Sequence, residues 1–99
     1  MGKSHKINNI RSEIDTIDLK ILELISDRKE LVTKIVEFKD RDQIIDQERI
    51  NKILERLDNE AKKRGIPQDL VRNLWKSMIK SFIEYEEEIF DESQKKKIR

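Results

Sequence analysis

Residues 7–38 read INNIRSEIDTIDLKILELISDRKELVTKIVEF, and this stretch decides the fold. Ile7, Ile10, Ile14, Ile17, Ile21, Leu24, Ile25, Leu31, Val32 and Ile35 recur mostly at steps of three and four, and neither glycine nor proline interrupts them. That spacing puts an apolar stripe along one face of a helix. It predicts a single helix of roughly 30 residues, about 45 Å long at about 1.5 Å per residue. In a chain of 99 residues such a helix cannot fold back to hide its own stripe. It calls for a partner helix, most simply its own copy.

Beyond Phe38 and Lys39, the segment Asp40-Arg41-Asp42-Gln43-Ile44-Ile45 breaks the pattern and reads as a loop. Asp46 suits the N-cap of a second helix, whose apolar face is Ile50, Ile53, Leu54, Leu57 and Ala61. Gly65 suits the left-handed position that ends it, and Pro67 suits the first turn of a third helix. That helix carries Leu70, Val71, Leu74, Trp75, Met78, Ile79, Phe82, Ile83 and Phe90. The expected architecture is all-α, with three helices in a single domain over residues 1–99. Its core spans about residues 6–90, with a frayed N-terminus and a frayed, basic tail from Ser93 to Arg99.

Composition narrows the function. Hydrophobic residues make up 35% of the chain and charged ones 43%, which leaves a lone protomer little core and favours association. The 22 basic and 21 acidic residues nearly cancel, which argues against a general nucleic-acid binder. Without cysteine there is no disulfide, thiol nucleophile or cysteine metal site. His5 stands alone in a polar stretch and reads as solvated, since a metal needs several converging ligands. No apolar run approaches the roughly 20 residues that span a bilayer. The opening Met1-Gly2-Lys3-Ser4-His5-Lys6 lacks the hydrophobic region of a secretory signal, and Lys6 stands where a myristoylation motif wants Ser or Thr. The expectation is a cytoplasmic protein with no cofactor, metal, nucleic acid or membrane partner.

A few polar residues fall where apolar ones belong. Continued by threes and fours, the first stripe runs Ile14, Ile17, Ile21, Ile25, Arg28, Val32, Ile35, Lys39. Arg28 and Lys39 thus share the core-facing side. Either they snorkel past the core edge, or they pair with internal acids, or they meet an anionic ligand. On the third helix, Trp75, Met78, Ile79, Phe82 and Ile83 lead to Glu86, with Phe90 beyond. A carboxyl on that face either becomes protonated or pairs with a lysine. Arg49, in the first turn after Asp46, points toward the same loop as Lys39. Together Arg28, Lys39, Arg49 and Glu86 describe one basic pocket holding one acid. No Ser-His-Asp set, glycine-rich phosphate loop or metal cluster accompanies it. The chemistry on offer is anion binding, hydrogen bonding and positioning.

The ordered motifs resemble a known family. Ile10-Arg11-Ser12-Glu13-Ile14-Asp15-Thr16-Ile17-Asp18 is similar to the Leu/Ile-Arg-x-x-Ile-Asp-x-x-Asp opening of the all-helical chorismate mutases. Leu24-Ile25-Ser26-Asp27-Arg28-Lys29-Glu30-Leu31 resembles their Leu-Leu-x-x-Arg-x-x-Leu, followed by Phe38-Lys39 and by Asp46-Gln47-Glu48-Arg49. The resemblance implies an intertwined homodimer of three-helix protomers that rearranges chorismate to prephenate without a cofactor, in the shikimate pathway. It implies that Arg28 and the partner subunit's Arg11 bind the substrate's two carboxylates. Arg11 and Arg28 stand 17 positions apart, about 25 Å along a straight helix, so only an antiparallel partner brings them together. By the same resemblance Lys39 donates to the ether oxygen and Arg49 adds positive field. Glu86 is the second donor to that oxygen, and Asp46, Ile50, Phe82 and Ile83 surround the substrate. Glu86 donates only when protonated, so activity is expected to fall at alkaline pH.

Two positions depart from the mutase pattern. Ile50 follows Arg49 where mutases carry a glutamate that accepts from the ring hydroxyl, and Phe82 replaces a serine. Both, with Phe38-Lys39 and Phe82-Ile83, resemble the isochorismate-pyruvate lyase branch, which yields salicylate and pyruvate. Chorismate mutase is the leading expectation and the lyase the alternative. A non-catalytic helical dimer, with Arg28 and Lys39 paired to internal acids, is the third.

Overall fold

A computed structural model of the chain describes residues 2–98; Met1 and Arg99, the last residue of the tail expected to fray, lie outside the described residues. Three α-helices make up the fold: α1 (Gly2–Val36), α2 (Gln47–Lys63) and α3 (Gln68–Ile98), with a 3-10 turn at Arg41–Gln43. No strand occurs among the described residues, so the chain is all-α. The helices run further than expected at both ends. α1 includes His5, and α3 continues through Ser93. Lys95, Lys96 and Lys97 occupy the last turn of α3, where cations face the negative end of the helix dipole. Among the described residues no helix is long and apolar enough to cross a membrane.

Backbone proximity divides the chain into two compact units, one ending at Leu31 and one beginning at Val32. The first is the long N-terminal part of α1. Its isoleucines Ile7, Ile10, Ile14, Ile17 and Ile21 are 47–55% exposed, so the stripe read from the sequence is a half-open apolar face. On the same stretch Arg11 is exposed and Arg28 half-buried.

The second unit holds the end of α1, the turn, α2 and α3. Past Val36 the backbone tightens into bonds three residues back: Glu37 N–H to Lys34 O (3.2 Å), Phe38 N–H to Ile35 O (3.0 Å) and Lys39 N–H to Val36 O (3.2 Å). The helical period therefore stops before Phe38 and before Lys39, the last residue of the stripe. Phe38 is 85% exposed. The apolar core is Val36, Ile44, Ile53, Ala61, Val71 and Ile79. Ile44 comes from the segment read as a loop, and it is 3% exposed. The 3-10 turn explains it. Asp40 N–H donates to Gln43 Oε1 (2.7 Å), Gln43 N–H to Asp40 O (2.9 Å) and Ile44 N–H to Arg41 O (3.3 Å). The compact turn sends Ile44 into the core and leaves Ile45 outside.

Asp46 caps α2 as its position suggests, its Oδ1 accepting from Arg49 N–H at 3.0 Å. The far end closes by Gly65 at φ +67°, with Gly65 N–H to Lys62 O (3.2 Å) and Ile66 N–H to Ala61 O (2.9 Å). Pro67 O then accepts from Val71 N–H (3.3 Å) and starts α3. The resulting helical hairpin is fastened by Arg72 paired with Asp58, and by Gln68 Nε2 donating to Asp58 O at 3.2 Å.

Because Ile44 plugs the core from a turn, Ile44→Ala should destabilise the protein by about 2–5 kcal/mol, read from the urea midpoint. A loss under about 0.5 kcal/mol, the level of an ordinary surface substitution, would mean that Ile44 does not pack there.

Candidate functional site

Glu86 lies two turns after the core residue Ile79, on the same side of α3, and the helix carries it inward. It is the one charged residue in the buried class among the described residues, at 7% exposure. An ionised carboxyl taken out of water needs a cation or several donors. Lys39 supplies one, its Nζ donating to Glu86 Oε1 at 3.1 Å. Of the two fates open to Glu86, the structure takes pairing with a lysine. That lysine is the one the sequence had singled out.

Both groups are held by further contacts. Beside Glu86, the Tyr85 hydroxyl shares a hydrogen bond with the Thr33 hydroxyl at 3.0 Å, tying the last turns of α1 to α3. From the turn, Arg41 Nε donates to Asp91 Oδ1 (3.1 Å) and Nη2 to Asp91 Oδ2 (3.5 Å). The same Nη2 lies 3.6 Å from Glu87 Oε2. The hydrogen bond to Asp91 raises the Arg41 pKa above its ordinary value, and the charges of Asp91 and Glu87 act in the same direction. Sequence reasoning missed Arg41. A signal was present: Glu87 and Asp91 are like charges four apart on one helix face, an unfavourable pair that a cation relieves.

The other expected site residues divide among different surfaces. Lys39 lines two clefts. One, of about 410 Å³, includes Thr33, Val36, Ile89 and Phe90. The other, of about 460 Å³, includes Phe38, Ile45 and Asp46. Ile50 and Ile83 instead line a groove of about 820 Å³ along α2 and α3, with Ile79 on its wall and Lys76 and Lys80 at its edge. Phe82 is half-buried one turn before Glu86, and the Arg49 side chain is exposed. Within the second unit, then, the structure brings Lys39 to Glu86 and Asp46 to the Lys39 cleft. Ile50 and Ile83 meet each other elsewhere. Arg11 and Arg28 belong to the first unit, about 25 Å apart along α1. Among the described residues no group of three or more His, Cys, Asp or Glu side chains is placed to hold a metal ion. A lysine ammonium against a buried carboxyl can anchor an anionic group and donate hydrogen bonds to an oxygen.

Residues 10–87 match the sequence profile of the Chorismate mutase type II family. The chain is also similar to the bifunctional chorismate mutase/prephenate dehydratase of Buchnera aphidicola subsp. Schizaphis graminum (strain Sg), at 33% identity over 85 residues. That match takes in 84% of this chain and 22% of the length of the curated relative.

Removing one partner of a buried pair orphans the other. Lys39→Met should therefore lower stability by about 1–3 kcal/mol, and adding Glu86→Gln should restore most of the loss, both read by urea denaturation. An unchanged midpoint in Lys39→Met would show that the pair is not formed in solution.

Proposed function

This chain belongs to the chorismate mutase type II family, and we propose that it catalyses the rearrangement of chorismate to prephenate. The family match over residues 10–87 carries the proposal, and the Lys39–Glu86 pair, an ammonium and a carboxyl 3.1 Å apart and mostly shielded from water, supplies groups for it. The rearrangement is pericyclic. A C–O bond breaks while a C–C bond forms, and negative charge builds on the ether oxygen as the C–O bond lengthens. No nucleophile or cofactor is required.

In the free protein Lys39 and Glu86 satisfy each other. When a dianionic substrate arrives, Lys39 turns to the ether oxygen, and Glu86, no longer held as a carboxylate by its lysine, is the second donor to the same atom. Once the substrate is bound, the donors meet the developing charge without further reorganisation. Arg28 and the partner subunit's Arg11 grip the two carboxylates and hold the chair-like conformer. Arg49 adds positive field. This chemistry requires a homodimer, because Arg11 and Arg28 of one protomer lie about 25 Å apart on α1. A second, antiparallel α1 brings the two types of arginine together. The half-exposed isoleucine face supplies the apolar surface for that contact. In this reading the enzyme is cytoplasmic and serves aromatic amino acid biosynthesis.

One observation favours a second reading. Ile50 is half-buried against the groove it shares with Ile79 and Ile83. A substrate ring placed against Ile50 would find no acceptor there for the hydroxyl of chorismate. Elimination of pyruvate from isochorismate to give salicylate is the activity such a surface would tolerate.

Incubating the protein separately with chorismate and isochorismate tests both readings. Prephenate from chorismate is expected, with kcat lowered about 10²–10³-fold in Lys39→Ala and affinity lost in Arg28→Ala. Glu86→Gln should keep the reaction running, because an amide N–H can donate in place of the acid. Salicylate and pyruvate from isochorismate alone would assign the lyase reaction, and turnover of neither would sink both.

Sedimentation equilibrium should give the mass of two chains, and Ile14→Asp should give that of one. A parent protein that stays monomeric at micromolar concentration would exclude the shared site.

A further inference from the structure

Lys39 must meet Glu86, yet it stands beyond the end of α1 on a stretch that belongs to no α-helix. A lysine on a loose turn would surrender backbone and side-chain freedom to hold that position. The turn is not loose. At its C-terminal end Ile44 is packed in the core. Within it, Asp40 and Gln43 bond each other reciprocally, at 2.7 and 2.9 Å, so residues 40–43 form one closed hydrogen-bonded turn. At the end nearest Lys39, Arg41 reaches α3 through two bonds to Asp91 and a contact with Glu87. Glu87 adjoins Glu86, and Asp91 is about one turn beyond. A single guanidinium thus links the backbone that carries Lys39 to the stretch of helix that carries Glu86.

We infer that Arg41 is a positioning residue, whose bridge to Asp91 and Glu87 sets the separation of Lys39 Nζ from the Glu86 carboxyl and so the donor geometry the substrate meets. This rests on the assignment of Lys39 and Glu86 as donors in the proposed rearrangement. The alternative is surface decoration, and the general behaviour of exposed ion pairs favours it, because most contribute little to stability. Arg41 and Asp91 are indeed half-exposed. Three features separate this bridge from decoration. The guanidinium is two-pronged on one carboxylate, it meets a second, and the turn behind it is stiff enough to pass its position to Lys39. A small effect on stability is compatible with a large one on rate, because catalysis by placed donors is sensitive to displacements of about 1 Å.

The experiment is steady-state turnover of chorismate and isochorismate by the full chain and its variants Arg41→Ala, Asp91→Ala, the double variant, Arg41→Lys and Lys39→Ala. Lys52→Ala, which removes an exposed pair on α2, is the control. Arg41→Ala and Asp91→Ala should each lower kcat roughly ten- to a hundredfold. KM should change less, because the carboxylates are gripped elsewhere. The double variant should be no worse than either single one, thermal midpoints should stay near that of the parent, and Arg41→Lys should recover part of the rate. Lys52→Ala should match the parent. Parent-like kcat in Arg41→Ala, with activity lost in Lys39→Ala, would overturn the inference and leave the functional reading standing. Losses that add in the double variant, or that track unfolding, would reduce Arg41 to a structural role and also overturn it. A parent inactive on both substrates, or a Lys39→Ala variant as active as the parent, would fell the functional reading and the inference with it.

Discussion

A carboxyl at 7% exposure has to be compensated, and much of the second unit can be understood from how Glu86 is. Its cation comes from outside any α-helix. α1 stops at Val36, the backbone tightens through three short-range bonds, and Lys39 emerges where its ammonium reaches α3. The turn that follows is compact, plugged into the core by Ile44 and tied to α3 by Arg41. Ordered in this way, a short connection can hold a charged side chain against a buried acid with little loss of backbone entropy on binding.

The first unit is governed by the opposite situation, apolar surface left open. Five isoleucines of α1 stand about half-exposed in a row, on a helix of 35 residues. A continuous stripe of this kind is unusual on the surface of a chain that stays alone. The proposed dimer would cover it and, at the same time, resolve the distance between Arg11 and Arg28. Stability and site assembly would then be one event, so a substitution in the stripe would affect both.

In the proposed reaction, selectivity falls to a different group of residues from catalysis. The proposed donors Lys39 and Glu86 sit at the junction of α1, the turn and α3, whereas Ile50 and Ile83 face a groove between α2 and α3. Apolar walls discriminate weakly between similar ligands, and a missing acceptor disfavours a buried hydroxyl. Under the proposal, the departures from the mutase pattern at Ile50 and Phe82 would bear on which ring is accepted. The family membership and the proposed donor pair would bear on what is done to it.

The sequence by itself determined the all-α class, the three helices, the Asp46 cap, the glycine stop at Gly65 and the family, because each rests on local periodicity, local hydrogen bonding or an ordered motif. It also marked Lys39 and Glu86 as out of place. It could not show that they meet, since they are 47 positions apart and contacts of that range depend on how helices pack. Only the tertiary structure ended the first helix at Val36, exposed Phe38, buried Ile44 and joined Arg41 to Asp91. A helical period has no term for where the chain leaves the helix, and in a short turn one residue's rotation decides between core and solvent.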